Sequence, residues 1–212
     1  MSRAAGLAGS QREVAAEWTA AVEAAGLPLV GGDPGRGRSR IAFGAPLPVG
    51  MAAERELIDV VLTAAWPVWR VREAVKPHVP MGWRLIDVHD VWLGGPPLAG
   101  RVAAADYRIE LEGAPDPAAL AAAAADLVEA PRIPRQRLKA EKTVDYDLRP
   151  LLISVGVEAG PPVTVRTRTR FDPERGTGRP EEVLGALADR LGSELEARSV
   201  VRERLLLDDD LR

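Results

Sequence analysis

The sequence predicts an α+β protein of two tandem halves, each an antiparallel sheet with helices on one face. Three observations predict it. Four segments with helical apolar period stand apart along the chain, and strand-like runs of period two lie between them. In order, the first half reads α-β-β-α-β and the second β-α-β-(β)-β-α-β, each close to a split βαββαβ unit, the ferredoxin-like arrangement. Between them, Gly94-Gly95-Pro96-Pro97-Leu98-Ala99-Gly100 is the stretch richest in turn residues. The halves are therefore set at 1–97 and 98–212.

The elements follow from local chemistry. Ser10-Gln11-Arg12-Glu13 fits a capping box, and Val14, Trp18, Ala21, Val22 and Ala25 follow on one helical face until Gly26 stops it. Residues 39–44 and 55–63 read as two strands joined by the Pro-rich loop 45–50. A second helix starts near 63–67, turns Val68, Val71 and Val75 inward and ends by Pro77 or Pro80. Residues 83–92 read as a third strand. Met1 to Gly9 holds no β-branched or aromatic residue, so the first half lacks its opening strand.

In the second half, Tyr107, Ile109 and Leu111 alternate with Asp106, Arg108 and Glu110, the pattern of a half-buried strand. Asp116 and Pro117 open a third helix with Leu120, Ala123, Ala124, Leu127 and Val128 on its apolar face. Residues 151–158 and 163–171 form a hairpin across 159–162. Pro180 opens a fourth helix that buries Val183, Leu184, Leu187 and Leu191 and ends at Gly192. Residues 199–207 give the last strand. The halves are too dissimilar in residues to be a sequence repeat.

Composition excludes several chemistries. The 212 residues contain no cysteine, which removes disulfides, thiolate nucleophiles, zinc–thiolate sites and iron–sulfur ligation together. His78 and His89 are the only imidazoles, so no metal and no cofactor is expected. A net charge of −3 gives no global attraction to nucleic acid or to an anionic membrane. There is no apolar run of spanning length and no signal-peptide core, so a cytoplasmic protein without membrane contact is expected.

Several segments carry a resemblance. Ala25-Gly26-Leu27-Pro28-Leu29, Arg40-Ile41-Ala42-Phe43-Gly44-Ala45-Pro46-Leu47-Pro48-Val49-Gly50 and Glu56-Leu57-Ile58-Asp59-Val60-Val61-Leu62 resemble the radical-SAM-linked domain family. So do the run from Pro96 to Gly100 leading into Tyr107-Arg108-Ile109-Glu110-Leu111, then Asp147-Leu148-Arg149-Pro150-Leu151-Leu152, then Arg179-Pro180-Glu181-Glu182-Val183-Leu184. The segments fall in family order over roughly 10–207. The family is a bacterial domain of unknown function found beside or fused to radical-SAM proteins, so the resemblance implies a radical-SAM protein as partner. Two family features are missing. A Ser-His-Leu-Asp-Leu-like opening is replaced by Gly9-Ser10-Gln11-Arg12-Glu13, and an Asn-Pro-His-Pro-like loop by Asp33-Pro34-Gly35-Arg36-Gly37-Arg38. If those histidines serve chemistry in relatives, this diverged member has lost it.

Candidate binding residues are arginines. Arg166, Arg168 and Arg170 share one strand face by period two, where they could meet RNA phosphates or be paired by Asp106 and Glu110. Arg36, Arg38 and Arg40 lie in a Gly-rich loop suited either to anion binding or to plain solvation. The cations from Arg132 to Lys142 form a third cluster, diluted by nearby acids. Gly176 and Gly178, before the fourth helix, could frame an anion at its start or simply connect a hairpin to a helix. Asp145 and Asp147 are too few for a hard metal ion. No catalytic residue is assigned. Two functions remain: a non-catalytic accessory domain docking to a radical-SAM protein, presenting an RNA or another macromolecule, or an independent RNA-binding or RNA-processing protein. The missing opening strand adds a third expectation, a bare sheet edge that a partner strand or a second copy would fill.

Overall fold

The computed structural model describes residues 1–4, 10–31, 41–91, 94–139 and 142–211. It is a mixed α+β protein with mostly antiparallel strand pairing, and it divides into two compact units, Met1–Val102 and Ala103–Arg212. No helix among the described residues is long and apolar enough to cross a membrane.

The first unit contains β1 (Ser2–Arg3), α1 (Gln11–Ala24), β2 (Ile41–Phe43), β3 (Ala52–Ala53), β4 (Ile58–Val60), α2 (Val68–Val75), β5 (Trp83–Arg84) and α3 (Leu98–Arg101). The capping box of α1 forms as its residues require: Ser10 N donates to Glu13 Oε2 at 2.6 Å, and Glu13 N donates to Ser10 Oγ at 3.4 Å. Gly26 ends the helix at a φ of +66°, a conformation that suits glycine. Val14, Trp18 and Val22 then point into a core with Leu27, Leu29 and Val75, and Trp18 meets Trp83 edge-on at 5.7 Å between ring centroids.

The expectation of a missing opening strand is wrong. β1 runs between β3 and β5, antiparallel to both, with Arg3 opposite Ala53 on one side and Trp83 on the other. The ladder continues past both ends, since Glu56 N donates to Met1 O at 2.7 Å and Ala4 N to Gly82 O at 3.0 Å. Strand propensity is poor in Ser2 and Arg3, but backbone pairing on two sides and burial of Met1 beside Trp18 outweigh it. The vacancy from which an added partner strand was expected therefore does not exist. Two other strand readings are also corrected. β2 and β4 pair as foreseen, yet the loop between them supplies β3 to a different sheet. Of 83–92, only β5 is strand; the described residues 85–91 have no regular structure.

The second unit contains β6 (Val102–Leu111, all but its first residue), α4 (Pro117–Glu129), β7 (Pro134–Lys139), β8 (Lys142–Asp147), β9 (Leu152–Glu158), β10 (Thr164–Asp172), β11 (Gly176–Thr177), α5 (Pro180–Leu191) and β12 (Ala197–Leu207). The main strands lie in the order β9-β10-β6-β12, with β10 antiparallel to both β9 and β6. Asp116 caps α4 by accepting from Ala118 N at 2.9 Å, and Gly192 closes α5 in the left-handed region. Leu120 and Leu127 of α4 and Val183 and Leu187 of α5 pack with Ile109, Leu111 and Val165 of the sheet, so both helices cover one sheet face. The opposite face carries the charged residues of the alternating pattern.

One hairpin was not foreseen. β7 and β8 pair with each other from Pro134↔Asp147 to Lys139↔Lys142, a two-stranded ribbon inserted between α4 and β9. At the far end of β10 the chain comes back on itself tightly. Gly178 N donates to Arg170 O at 2.9 Å, and Thr169 Oγ1 donates to Gly178 O at 2.8 Å. A Cβ on Gly178 would lie 2.7 Å from Thr169 Cβ and 2.8 Å from Leu151 O, so only glycine fits there.

Candidate functional site

Three places in the molecule gather chemistry. The first is the outer face of the C-terminal sheet. Register sets Arg168 beside Asp106 and Arg166 beside Arg108 across β10 and β6, with Ser154 and Gly156 beyond them on β9. Arg168 grips Asp106 with two bonds, Nε to Oδ1 at 2.6 Å and Nη2 to Oδ2 at 3.0 Å, and Arg204 Nε donates to Asp106 Oδ2 at 2.7 Å. Arg166 Nε donates to Glu158 Oε1 at 2.6 Å, and its Nη1 donates to Glu203 Oε1. Arg108 Nη1 reaches the same Glu203 oxygen at 2.9 Å, with Glu110 3.9 Å from Arg108 Nε.

This face is neutralised from within. Burial pushes the Asp106 carboxyl up, but the hydrogen bonds from Arg168 and Arg204 outweigh burial and hold it below its ordinary range. The guanidinium of Arg168 is raised in turn by its hydrogen bond to Asp106, and that of Arg166 by its bonds to Glu203 and Glu158. An open depression of about 430 Å³ lies over Ser154, Gly156, Arg166 and Arg168. A phosphate entering it would compete with carboxylates already bonded to those arginines. Of the three arginines singled out by period two, only Arg170 is exposed with no ion pair among the described residues. Arg36, Arg38 and Arg40 lie outside the described residues.

The second place is the ribbon. Arg135 bridges it to α5, with Nε 3.2 Å from Glu182 Oε2 and Nη1 bonded to Asp189. Gly185 lies between those two acids on the helix, where a Cβ would overlap the Arg135 guanidinium. Tyr146 sits opposite Arg135 in register, and the Arg137 guanidinium stands 5.0 Å above the Tyr146 ring centroid. Burial pushes the Tyr146 phenol up to about 12, and the charge of Glu182 adds to it. An ultraviolet phenol titration of Glu182→Gln should therefore find Tyr146 ionising at lower pH than in the parent chain. An unchanged titration would remove Glu182 from its surroundings.

Asp145 and Asp147 belong to the ribbon's architecture. Asp145 accepts from Gln136 Nε2 at 2.8 Å, whereas Asp147 Oδ1 accepts from Ile133 N at 2.8 Å and Arg149 N at 3.0 Å. Gly176 and Gly178 serve the turn from β10 into α5, where no side chain caps the helix. The ribbon's sequence signal was present in Thr143-Val144-Asp145-Tyr146, but the charged partner strand hid it.

The third place is a surface of the first unit. Trp69 is 68% exposed and Met81 92%, and Val68, Ile86 and Val91 are also exposed. Arg72 of α2 donates to Ile86 O at 3.2 Å and pairs with Asp87, which fastens the segment after β5 alongside the helix. Trp69 and Val68 lie three and four residues before Arg72, on the same side of α2. They therefore share a surface with Ile86. His89, 3.2 Å from Asp87, is a surface residue of that segment. Arg70 of α2 stacks over the ring of Trp66, just before the helix, at 3.9 Å.

A family model described as an uncharacterized protein conserved in bacteria (DUF2344) matches residues 10–196. A search of curated proteins finds no match to the chain.

Proposed function

The chain belongs to that family of uncharacterized bacterial proteins, and from this premise we propose that it is a non-catalytic accessory protein that docks to a radical-SAM partner in the cytoplasm. The observation that carries the docking is the exposure of large apolar side chains in the first unit, above all Trp69 on α2. An exposed tryptophan favours burial against another protein, and tryptophan is among the strongest single contributors at interfaces. The class of partner rests on the segment resemblance from Ala25 to Leu184. A chain without cysteine supplies no thiolate to an iron–sulfur cluster, so the radical chemistry belongs to the partner.

The strand order β9-β10-β6-β12, with α4 and α5 on one face, supports reading the second unit as a ferredoxin-like half. The independent RNA-binding reading draws less support, because Arg166 and Arg168 already hold carboxylates. The test is a titration of this chain against the radical-SAM protein encoded nearest to it. Trp69→Ala should weaken the complex about tenfold without lowering the thermal midpoint of the free chain. Absence of a complex at micromolar concentration would sink the proposal, and so would full affinity in the Trp69 variant.

A further inference from the structure

We propose that this chain pairs with a second copy of itself through the outer edge of β9, extending the sheet of the second unit across a two-fold axis at Gly156. The pairing concerns the second unit alone, so it stands apart from the docking reading.

The edge follows from the register. β9 pairs with β10 and, among the described residues, with no other strand. Residues of an antiparallel ladder turn their N–H and C=O alternately to one side and the other. Leu111 N donates to Val163 O at 2.9 Å, so Val163, Val165 and Thr167 turn theirs toward β6, and Thr164, Arg166 and Arg168 toward β9. Their partners Glu158, Gly156 and Ser154 face back to β10. Val155 and Val157 therefore turn both backbone groups outward, where no strand among the described residues receives them.

Soluble proteins blunt such edges, and here the blunting stops short. At the start of β9, Arg149 Nη1 donates to Leu152 O at 3.0 Å. Ile153 is then an extra residue that bulges, since Leu152 lies opposite Thr169 and Ser154 opposite Arg168. From Ser154 to Glu158 the strand is regular and holds neither proline nor lysine. α4 packs on β9 and carries alanine at every exposed position from 118 to 125, so that stretch of helix offers only short side chains to an approaching strand.

The edge fits itself. Gly156 is the middle of the regular segment, and a two-fold axis there sets Val155 opposite the second copy's Val157. Both face outward, so the pair exchanges two hydrogen bonds and symmetry makes them four. Valine meets valine on the face that packs toward the helices, a favourable β-branched pair. On the other face, Gly156 meets Gly156 at a position where paired strands come closest, and Ser154 lies opposite Glu158. Glu158 is the single charged residue of β9, and it meets a hydroxyl and not a second glutamate. A second copy thus satisfies the outward groups of the regular segment without setting like charges together.

Sedimentation velocity of the full chain over a concentration series, with hydrogen exchange at both ends of the series, tests this. The parent should pass from monomer toward dimer as concentration rises. The amides of Val155 and Val157 should become protected with it, while those of Gly156 and Glu158 are protected throughout. Val157→Pro removes an outward N–H and no ladder bond, so it should keep the circular dichroism of the parent while self-association weakens at least about tenfold. Gly156→Lys, where a Cβ has open space, sets like charges opposite each other at the axis and should also weaken the dimer. An equimolar mixture of Gly156→Lys and Gly156→Glu should recover it, which misfolded chains could not do. A parent still monomeric at about 500 μM overturns the proposal. So does a dimer that survives both single variants, or a mixture that recovers nothing. Protection of Val155 and Val157 that appears only on adding a radical-SAM protein overturns it as well, because the edge would then belong to a foreign strand.

Discussion

Gly178→Ala is expected to cost the C-terminal unit about 3 kcal/mol, because the added methyl overpacks a place with no room to relax. The new carbon would sit 2.8 Å from Leu151 O and 2.7 Å from Thr169 Cβ. One of these neighbours is backbone, and the other is a fully buried β-branched side chain. Moving Thr169 strains a bond on which the turn depends, since Thr169 Oγ1 donates to Gly178 O, beside the bond from Gly178 N to Arg170 O. The thermal midpoint should fall by about 10 °C, measured by calorimetry or circular dichroism. Gly156→Ala is the matched control, because a Cβ there meets nothing within 4 Å. Equal melting of Gly178→Ala and the parent would show that the turn yields easily.

Asp106→Ala should destabilise the same unit by about 2 kcal/mol, because it strips the shared acceptor from Arg168 and Arg204 at once. The loss should depend on pH in a defined direction. Asp106 titrates below its ordinary range in the folded protein, so the stability it adds is present above the unfolded carboxyl pKa of about 3.9. That stability disappears as pH falls through the folded value. Denaturant unfolding of the parent and of Asp106→Asn should therefore differ at pH 7 and draw together below about pH 4. A gap that stays constant into acid would mean that the carboxylate charge contributes nothing.

What could be read from the sequence follows from the range of the forces involved. The starts of α1 and α4 were legible because Ser10, Glu13 and Asp116 act on backbone groups two or three residues away. The end of α5 was legible because Gly192 needs no distant partner. β1 was not, since Ser2 and Arg3 are strand only by virtue of Ala53 and Trp83, far along the chain. The segment 83–92 erred the other way: its apolar content suggests a strand, yet of its described residues only Trp83 and Arg84 pair. For the outer face, period two fixed which arginines stand together but not what they meet. Glu203 and Arg204 join that network from β12, whose register no local pattern encodes. The ribbon was missed because Arg-Gln-Arg-Leu-Lys lacks the β-branched residues that announce a strand.

That ribbon also bears on how the chain closes upon itself. Pairing Ile109 with Val165 brings together two points with Pro134–Asp147 between them, about a quarter of the intervening chain. The entropy of closing such a loop grows only with the logarithm of its length, so carrying the ribbon inside it costs about 0.3 kcal/mol. An insertion this cheap places almost no thermodynamic constraint on its own sequence beyond the Arg135 and Tyr146 anchors. Its outer residues are therefore free to be chosen for what they touch rather than for what they hold together.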